Sequence, residues 1–193
     1  EKIGADTSAV FNTLSGYSEP PKLNKLTMAP TGLRKKFMML IEREESNAIL
    51  GKKAKIIVKM NSICDPGIMK ALYKASSAGV EIELIVRGIC GIIPCIEGVS
   101  DNITVRSIVG RYLEHSRIFY FYNDKDEEIY LSSADWMPRN LNRRVELMFP
   151  IEDQRIKQRI IDILKIMLKD NVKAKTKNRE GEYLKINKKG KKV

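Results

Sequence analysis

The chain has 193 residues, 43% of them hydrophobic and 31% charged, which is the balance of an ordinary globular domain. Its three cysteines have no framework spacing, which argues against disulfides or zinc, and no apolar run is long enough to cross a membrane. The formal net charge of +11 points to a polyanionic partner, but residues 173–193 hold nine Lys or Arg and two Glu, so this tail carries +7 and the rest of the chain only +4.

Residues 1–26 are predicted to form an irregular connector. Glycine, serine and a Pro-Pro pair interrupt any periodicity there, and the segment lacks the basic start and apolar core of a signal peptide. A reducing cytoplasm fits this segment and the odd number of cysteines. A helix is predicted next, with Thr31 placed to cap it, Gly51 placed to end it, and apolar residues at helical spacing between them.

Residues 54–60 and 81–86 are apolar runs typical of buried strands, and a helix is predicted at 68–78 between them. Asp65 is the expected N-cap of that helix, and Pro66 fits its first position. The segment is therefore predicted to form a strand, helix, strand unit with parallel strands.

Polar residues stand at the ends of both strands. Lys59 and Asn61 close the first strand, and Arg87 follows the second. Because ligands of open parallel sheets bind beyond the carboxyl ends of the strands, these side chains are expected to line a binding site.

A third strand at 103–109 is predicted to follow a loop at 91–102 that is rich in Gly, Pro and Asp. Beyond it, residues 116–122 and 128–134 are β-branched and aromatic runs separated by a polar, turn-forming segment. This pattern predicts a hairpin whose turn is centred on Lys125.

That hairpin would place the only histidine among other reactive groups. Opposed positions of a hairpin have a constant number sum, so His115 is expected opposite Asp135, and Arg117 opposite Ser133, on one face. An imidazole, a cation, a hydroxyl and a carboxylate would then converge. Further charged residues suited to phosphate recognition or to the next strand follow: Arg139, Arg143, Arg144 and Glu146.

A strand at 145–149 and an amphipathic helix at 153–169 complete the predicted domain. The segment 173–186 is predicted to form a short hairpin about Glu180 and Gly181. The apolar face of the helix is assigned to the core and to no cofactor: Ile156, Ile160, Ile163, Leu164 and Met167.

The strings EHSRIF and SSADWMPRNLNRRVE resemble the carboxy-terminal domain of polyphosphate kinase, a family of enzymes that build inorganic polyphosphate from ATP. The likeness extends through VKMNSICD at 58–65 and AGVEIELIVRGICGIIP at 78–94. It implies an α/β fold, a phospholipase D-like half with a mixed β-sheet flanked by helices. It also implies a domain at 27–172, preceded by a connector at 1–26 from an absent catalytic half and followed by the basic tail at 173–193.

The resemblance implies an activity as well. In the family the phosphoryl group passes through a phosphohistidine of the preceding half, and that histidine has no counterpart here. This chain is therefore expected to be a carboxy-terminal part that is inactive alone. His115 matches the second, catalytic histidine, which contacts the ATP phosphates and assists proton transfer. The candidate ATP and phosphate ligands, from the resemblance and from the strand ends together, are Arg87, His115, Arg117, Arg144, Glu146, Lys59 and Ser133.

The same resemblance implies the partners. Magnesium is expected to arrive with ATP, and no dedicated metal cage is predicted. ATP, ADP, polyphosphate and the other domains of a full-length homo-oligomer are the expected partners, in the cytoplasm, with membrane association of the full enzyme left open. No nucleic acid is expected.

One departure and two rival functions remain open. Cys95 stands where the family resemblance predicts glycine, which leaves the loop near Arg87 undefined. A phospholipase D-like phosphodiesterase or nuclease would use two such half-sites, but Arg117 replaces its usual lysine. A nucleic-acid-binding module driven by the tail would need aromatic stacking, and Trp136 stands alone. The tail itself could serve solubility or tethering.

Overall fold

The computed structural model describes residues 2–16 and 22–186. The helices are α1 (Lys2–Leu14), α2 (Leu33–Ile49), α3 (Pro66–Ser77), α4 (Pro138–Asn142) and α5 (Gln154–Lys169). The strands are β1 (Thr27–Ala29), β2 (Lys55–Met60), β3 (Glu81–Val86), β4 (Ile103–Ser107), β5 (Ile118–Phe121), β6 (Glu128–Ser132), β7 (Glu146–Pro150), β8 (Lys175–Lys177) and β9 (Tyr183–Lys185).

Within the described residues these strands form one nine-stranded mixed sheet in the order β1-β7-β6-β5-β2-β3-β4-β8-β9. The pairs β2·β3 and β3·β4 are parallel, and the other neighbouring pairs are antiparallel. The predicted α/β class, with a mixed sheet flanked by helices, is confirmed.

The parallel unit forms as its sequence predicts. The side chain of Asp65 accepts a hydrogen bond from the backbone N–H of Ile68 at 3.0 Å, and Pro66 occupies the first turn of α3. This cap satisfies an N–H that has no partner inside the helix. It fixes the point where the chain leaves β2 and enters α3.

The two faces of the sheet bury separate cores. Along β2, Ile56 and Val58 pack into the larger core together with α2 and α3, whereas Ile57 packs into a second core together with α5. This alternation follows from the two-residue period of a strand. Because both faces are covered, β2 is an almost continuous apolar run.

Two local predictions about the helices are wrong in detail. Thr31 does not cap α2, because Gly32 occupies the N-cap position and makes no side-chain cap bond. In α5 the buried stripe includes Ile161, while Ile156 and Ile163 remain 51% and 38% exposed. The helix is therefore rotated, relative to the prediction, so that Ile161 faces the sheet.

The β5–β6 hairpin forms one register step away from its predicted pairing. Phe119 lies opposite Tyr130, whereas a turn centred on Lys125 would place it opposite Leu131. Positive φ angles at Asn123, Asp124 and Lys125 tighten the turn. A shift of one residue exchanges the faces of all side chains on a strand, so Ser133 does not face Arg117 as predicted.

A helix occupies much of the segment predicted to be an irregular connector. α1 is held by the buried carboxylate of Asp6, which accepts from the backbone N–H groups of Asn24, Lys25 and Leu26 at 2.9, 2.6 and 2.9 Å. Burial opposes ionisation, but these bonds outweigh it and lower the pKa of Asp6. The predicted Pro-Pro break at residues 20 and 21 lies outside the described residues.

The segment 173–186 continues the sheet. The predicted hairpin is confirmed, with Gly181 at φ 87° in its turn, and Ala174 is buried in the core on the α5 face. This part of the predicted tail therefore belongs to the fold, while residues 187–193 lie outside the described residues. No helix within the described part of the chain has the length and hydropathy needed to cross a bilayer.

Candidate functional site

Polar side chains from several strands meet at one edge of the sheet. β5 runs antiparallel to β2, so its start lies beside the end of β2, and β3 is the parallel neighbour on the other side. The chain order of these elements therefore brings Lys59, Asn61, Arg87 and Arg117 into one region, together with Asp135 beyond the end of β6.

Asp135 is the centre of this region, although its residue surface is only 7% exposed. One carboxylate oxygen accepts from the backbone N–H of Asn61 at 2.8 Å, and Nδ2 of Asn61 lies 3.2 Å from both oxygens. Arg117 adds Nε at 3.3 Å from Oδ1 and Nη2 at 3.2 Å from Oδ2. A buried carboxylate is stable only when donors replace its water, and here those donors tie β2 to β5.

Arg87 and His115 form the outer part of the region. Nε of Arg87 donates to Oδ1 of Asn61 at 2.6 Å, and Nη2 lies 3.2 Å from Nδ1 of His115. Guanidinium nitrogens only donate, so Nδ1 accepts this bond and the ring proton lies on Nε2. His115 is exposed, and among the described residues no carboxylate forms an ion pair with Arg87. The arrangement presents an uncompensated cation and an imidazole N–H to solvent.

Lys59 lies beneath this pair and is 2% exposed. Its Nζ donates to Oγ of Ser116 at 2.8 Å and lies 3.3 Å from a carboxylate oxygen of Glu114. Burial lowers the pKa of Lys59, and the bond to Glu114 offsets part of that effect. In this conformation Lys59 holds the segment that carries His115, and its direct contact with phosphate stays a prediction.

The remaining predicted ligands form a second cluster. Oγ of Ser133 donates to Oε2 of Glu146, and Nδ2 of Asn140 donates to Oε1, both at 2.5 Å. Nη1 of Arg144 is 4.0 Å from Oε1, and the Arg144 side chain is 52% exposed. Ser133 therefore joins Glu146 rather than Arg117, which follows from the hairpin register.

The structure thus divides the seven predicted ligands between these two clusters. The N–H groups of Arg117 bind acceptors within the protein: Nε and Nη2 bind Asp135, and Nη1 donates to the backbone carbonyl of His115 at 3.0 Å. Its contact with phosphate stays a prediction. The sequence assigned no role to three residues that organise the site: Glu114, Ser116 and Asn140. Asn61 and Asp135 were expected there, but the structure pairs Asp135 with Asn61 and Arg117, where the hairpin prediction had placed it opposite His115.

Signals for some of these residues were present. Asn61 and Asp135 each follow a strand within a few residues, at the sheet edge where ligands bind. Glu114 and Ser116 flank the only histidine. The pairing of Asn140 with Glu146 had no signal, because it depends on how α4 turns back against β7.

Two backbone features shape the loop after Arg87. The N–H of Gly88 donates to the carbonyl oxygen of Asn61 at 2.7 Å, and a Cβ at Gly88 would lie 2.8 Å from that oxygen. Cys95 has φ 62°, in the left-handed region that favours glycine. The loop therefore keeps a glycine-like backbone at the position where the family resemblance predicts glycine.

Trp136 is part of the core and cannot serve as a stacking platform. It is 0% exposed, and its ring centroid is 5.5 Å from that of Phe37 and 5.4 Å from that of Phe119.

Residues 2–16 and 22–186 contain no group of three or more His, Cys, Asp or Glu side chains that could hold a metal ion.

Comparisons with known proteins assign this arrangement to a family. The family model described as "Polyphosphate kinase C-terminal domain 2" matches residues 26–193. Polyphosphate kinases of Staphylococcus haemolyticus and Halalkalibacterium halodurans are 50% and 51% identical over 183 residues, which is 95% of this chain. The chain spans 25% and 26% of the length of these curated relatives.

Solved structures agree in fold. The crystal structure of polyphosphate kinase from Porphyromonas gingivalis superposes with a TM-score of 0.95 at 42% identity, covering 100% of this chain and 30% of that one. Nuc from Salmonella typhimurium, a phospholipase D family member, gives a TM-score of 0.56 at 13% identity, covering 80% of this chain and 97% of that one. The second likeness shows a phospholipase D-like fold and nothing about chemistry.

Proposed function

Because the chain belongs to the polyphosphate kinase family, in which it matches C-terminal domain 2, we propose that it forms the carboxy-terminal part of an enzyme that transfers the γ-phosphoryl group of ATP reversibly to inorganic polyphosphate. The chain spans about a quarter of the length of its curated relatives, and the proposal assigns the rest of the active site to the other domains of such a longer protein.

One observation carries this proposal. Arg87 holds a full positive charge at the carboxyl edge of parallel strands, and among the described residues it has no carboxylate partner. Catalysis of phosphoryl transfer depends mainly on positioning the reactants and on neutralising the negative charge of the phosphoryl oxygens. Arg87 supplies the charge, and His115 beside it supplies an N–H donor.

The proposed reaction uses a histidine outside this chain as nucleophile. Its ring nitrogen attacks the γ-phosphorus of ATP, the bond to the β–γ bridging oxygen breaks, and ADP leaves with that oxygen. A terminal oxygen of polyphosphate then attacks the phosphohistidine, breaking the P–N bond and lengthening the chain by one unit. Nε2–H of His115 donates to the oxygen on which charge develops.

Magnesium is proposed to enter as part of the Mg-ATP substrate. The partners are proposed to be ATP, ADP, polyphosphate and the remaining domains of a homo-oligomer in the cytoplasm. His115 is the catalytic residue of this chain in the proposal. In the same proposal Arg87, from the cluster around Asp135, and Arg144, from the cluster around Glu146, bind phosphate groups of the substrates.

The first test is isothermal titration of Mg-ATP and of long-chain polyphosphate into the parent chain and into Arg87→Ala. An exposed arginine of α5 without an ion pair among the described residues, Arg159, provides the matched control Arg159→Ala. Loss of a charge-assisted hydrogen bond costs about 1.5–3 kcal/mol, so Arg87→Ala is expected to weaken binding roughly 10- to 150-fold. The control is expected to bind like the parent chain.

A second arm separates the site from the tail. A chain ending at Ile186 removes the last basic residues but keeps β8 and β9, whereas a cut before Lys173 would remove two strands of the sheet. Binding that survives this truncation and fails in Arg87→Ala supports the proposal. Binding that is lost on truncation and unchanged in Arg87→Ala would overturn it.

A further inference from the structure

A groove runs along the sheet edge on the side of Arg87 away from β2. It encloses about 340 Å³. We call it the β8 groove, and it is lined by Arg87, Gly88, Ser107, Val109, Lys173, Lys175 and Tyr183. These residues include three cations and no carboxylate, so the groove is electropositive.

Lys175 faces the groove because of strand alternation: it begins β8, and Ala174 before it is buried on the α5 face of the sheet. Lys173 precedes the strand and lines both the groove and a neighbouring cavity beside α5. Lys175 lies opposite Ser107 of β4 on one side and opposite Lys185 of β9 on the other. Directly opposed residues share a face, so Lys185 extends the same basic surface.

These lysine charges are not neutralised within the protein. Lys173, Lys175 and Lys185 are exposed, and none forms an ion pair among the described residues. Like charges directly opposite each other on neighbouring strands destabilise a sheet. Lys177, the next residue on that face, is different, because its Nζ donates to the carbonyls of Cys90 and Ile92 at 2.8 and 3.0 Å.

The groove is continuous with the candidate site through Arg87. A second cavity of about 230 Å³ lies against Arg87 and is bordered by residues 108–114, which lead into His115. Arg87 and Val109 line both cavities. A linear polyanion whose end lies at His115 could therefore pass Arg87 and continue along the β8 groove.

We propose that the β8 groove binds the body of the inorganic polyphosphate chain, with Lys173 and Lys175 contacting phosphates remote from the reacting end. This inference rests on the proposed function and names the substrate track of the same site. A repeated linear anion fits the groove, because Arg87, Lys173 and Lys175 lie at separate points along it and a linear anion carries negative charge over a similar length. ATP carries only three phosphates, so we expect it to contact Arg87 but neither Lys173 nor Lys175.

The test compares long-chain polyphosphate with Mg-ATP as ligands of the full chain. The variant is Lys173→Gln with Lys175→Gln. The matched control is Lys70→Gln with Lys169→Gln, which removes two exposed lysines that have no ion pair among the described residues. Binding is measured by titration over a range of salt concentrations, and thermal unfolding checks the fold of each variant.

The groove variant is expected to bind polyphosphate about tenfold more weakly. The slope of the logarithm of its binding constant against the logarithm of the salt concentration is expected to become less steep by about 0.7–0.9 per lysine removed, as for other linear polyanions. Its Mg-ATP affinity is expected to equal that of the parent chain, and Lys173→Arg with Lys175→Arg is expected to restore polyphosphate binding. Equal losses in the groove and control variants would overturn the inference and leave the proposed function intact. Failure of the parent chain to bind either ligand would instead count against the proposed function.

Discussion

Arg117 and Asp135 form a two-bond ion pair, with Nε 3.3 Å from Oδ1 and Nη2 3.2 Å from Oδ2. Their side chains are 14% and 9% exposed, so both charges are largely removed from water. The pair joins the start of β5 to the segment after β6, and the same carboxylate also binds the backbone N–H of Asn61. Arg87 is attached to this unit through Asn61, so the position of the outer cation depends on the buried carboxylate.

Asp135→Asn is therefore expected to lower the free energy of unfolding by about 3 kcal/mol, because breaking a buried pair leaves an uncompensated charge on Arg117. Urea denaturation measures this change. Asp162→Asn is the control, since Asp162 is exposed on α5 and surface substitutions usually change stability by no more than about 0.5 kcal/mol. Equal stability of the two variants would show that the pair contributes little.

The strand, helix, strand unit was predictable because its signals are local. Asp65 and Pro66 specify the start of α3, and the apolar runs specify β2 and β3. The location of Arg87 followed, since the ends of parallel strands meet at one edge. Local pattern and topology together were sufficient for that half of the site.

The register of the β5–β6 hairpin could not be predicted from local sequence patterns. Its pairing depends on φ angles at Asn123, Asp124 and Lys125 that the residue types permit but do not dictate. A displacement of one position moved Ser133 from the Arg117 cluster to Glu146. The docking of α1 likewise depends on Asp6 reaching backbone groups 18 to 20 residues away, a contact without periodic signal.

Gly88→Ala is expected to disturb the site directly. The added Cβ would lie 2.8 Å from the carbonyl oxygen of Asn61, so the ends of β2 and β3 must separate. Such overpacking typically costs about 1–3 kcal/mol, and the shift would also weaken Mg-ATP binding through Arg87. Thermal unfolding and calorimetric titration measure the two effects.

Gly4→Ala provides the control for that substitution. Gly4 is in α1, and a Cβ there would meet nothing within 4 Å. It is expected to raise the free energy of unfolding by up to about 1 kcal/mol through helix propensity, with unchanged Mg-ATP binding. If Gly88→Ala behaved in the same way, the close approach of the two strand ends would not matter for the site.

Cys95→Gly is expected to stabilise the protein. Cys95 has φ 62°, which costs a residue with a Cβ about 1–2 kcal/mol, whereas glycine adopts this angle freely. Glycine also loses more backbone entropy on folding, so the net gain is expected to be about 0.5–1 kcal/mol. Cys95→Ala keeps the strained angle and should show no gain in chemical denaturation. A gain as large in Cys95→Ala would assign the effect to the thiol instead of the backbone.

The pKa of Lys59 is expected to fall further in Glu114→Gln. Burial already lowers this pKa from the usual value of 10.5, and the hydrogen bond and charge of Glu114 act in the opposite direction. Arg87 and Arg117 add repulsion, so removing the carboxylate removes the one negative charge that raises this pKa and leaves burial and repulsion to lower it. Titration followed by NMR of the lysine side-chain carbon next to Nζ measures the pKa in both proteins.

The same change should appear in stability as a function of pH. Between the lowered pKa of folded Lys59 and 10.5, the unfolded chain binds more protons, so the free energy of unfolding rises with pH across that window. In Glu114→Gln the rise is expected to begin at a lower pH. Lys59→Met removes the titrating group and should remove the rise, as measured by urea denaturation at successive pH values. An unchanged starting pH in Glu114→Gln would mean that Glu114 does not stabilise the charge of Lys59 beneath His115.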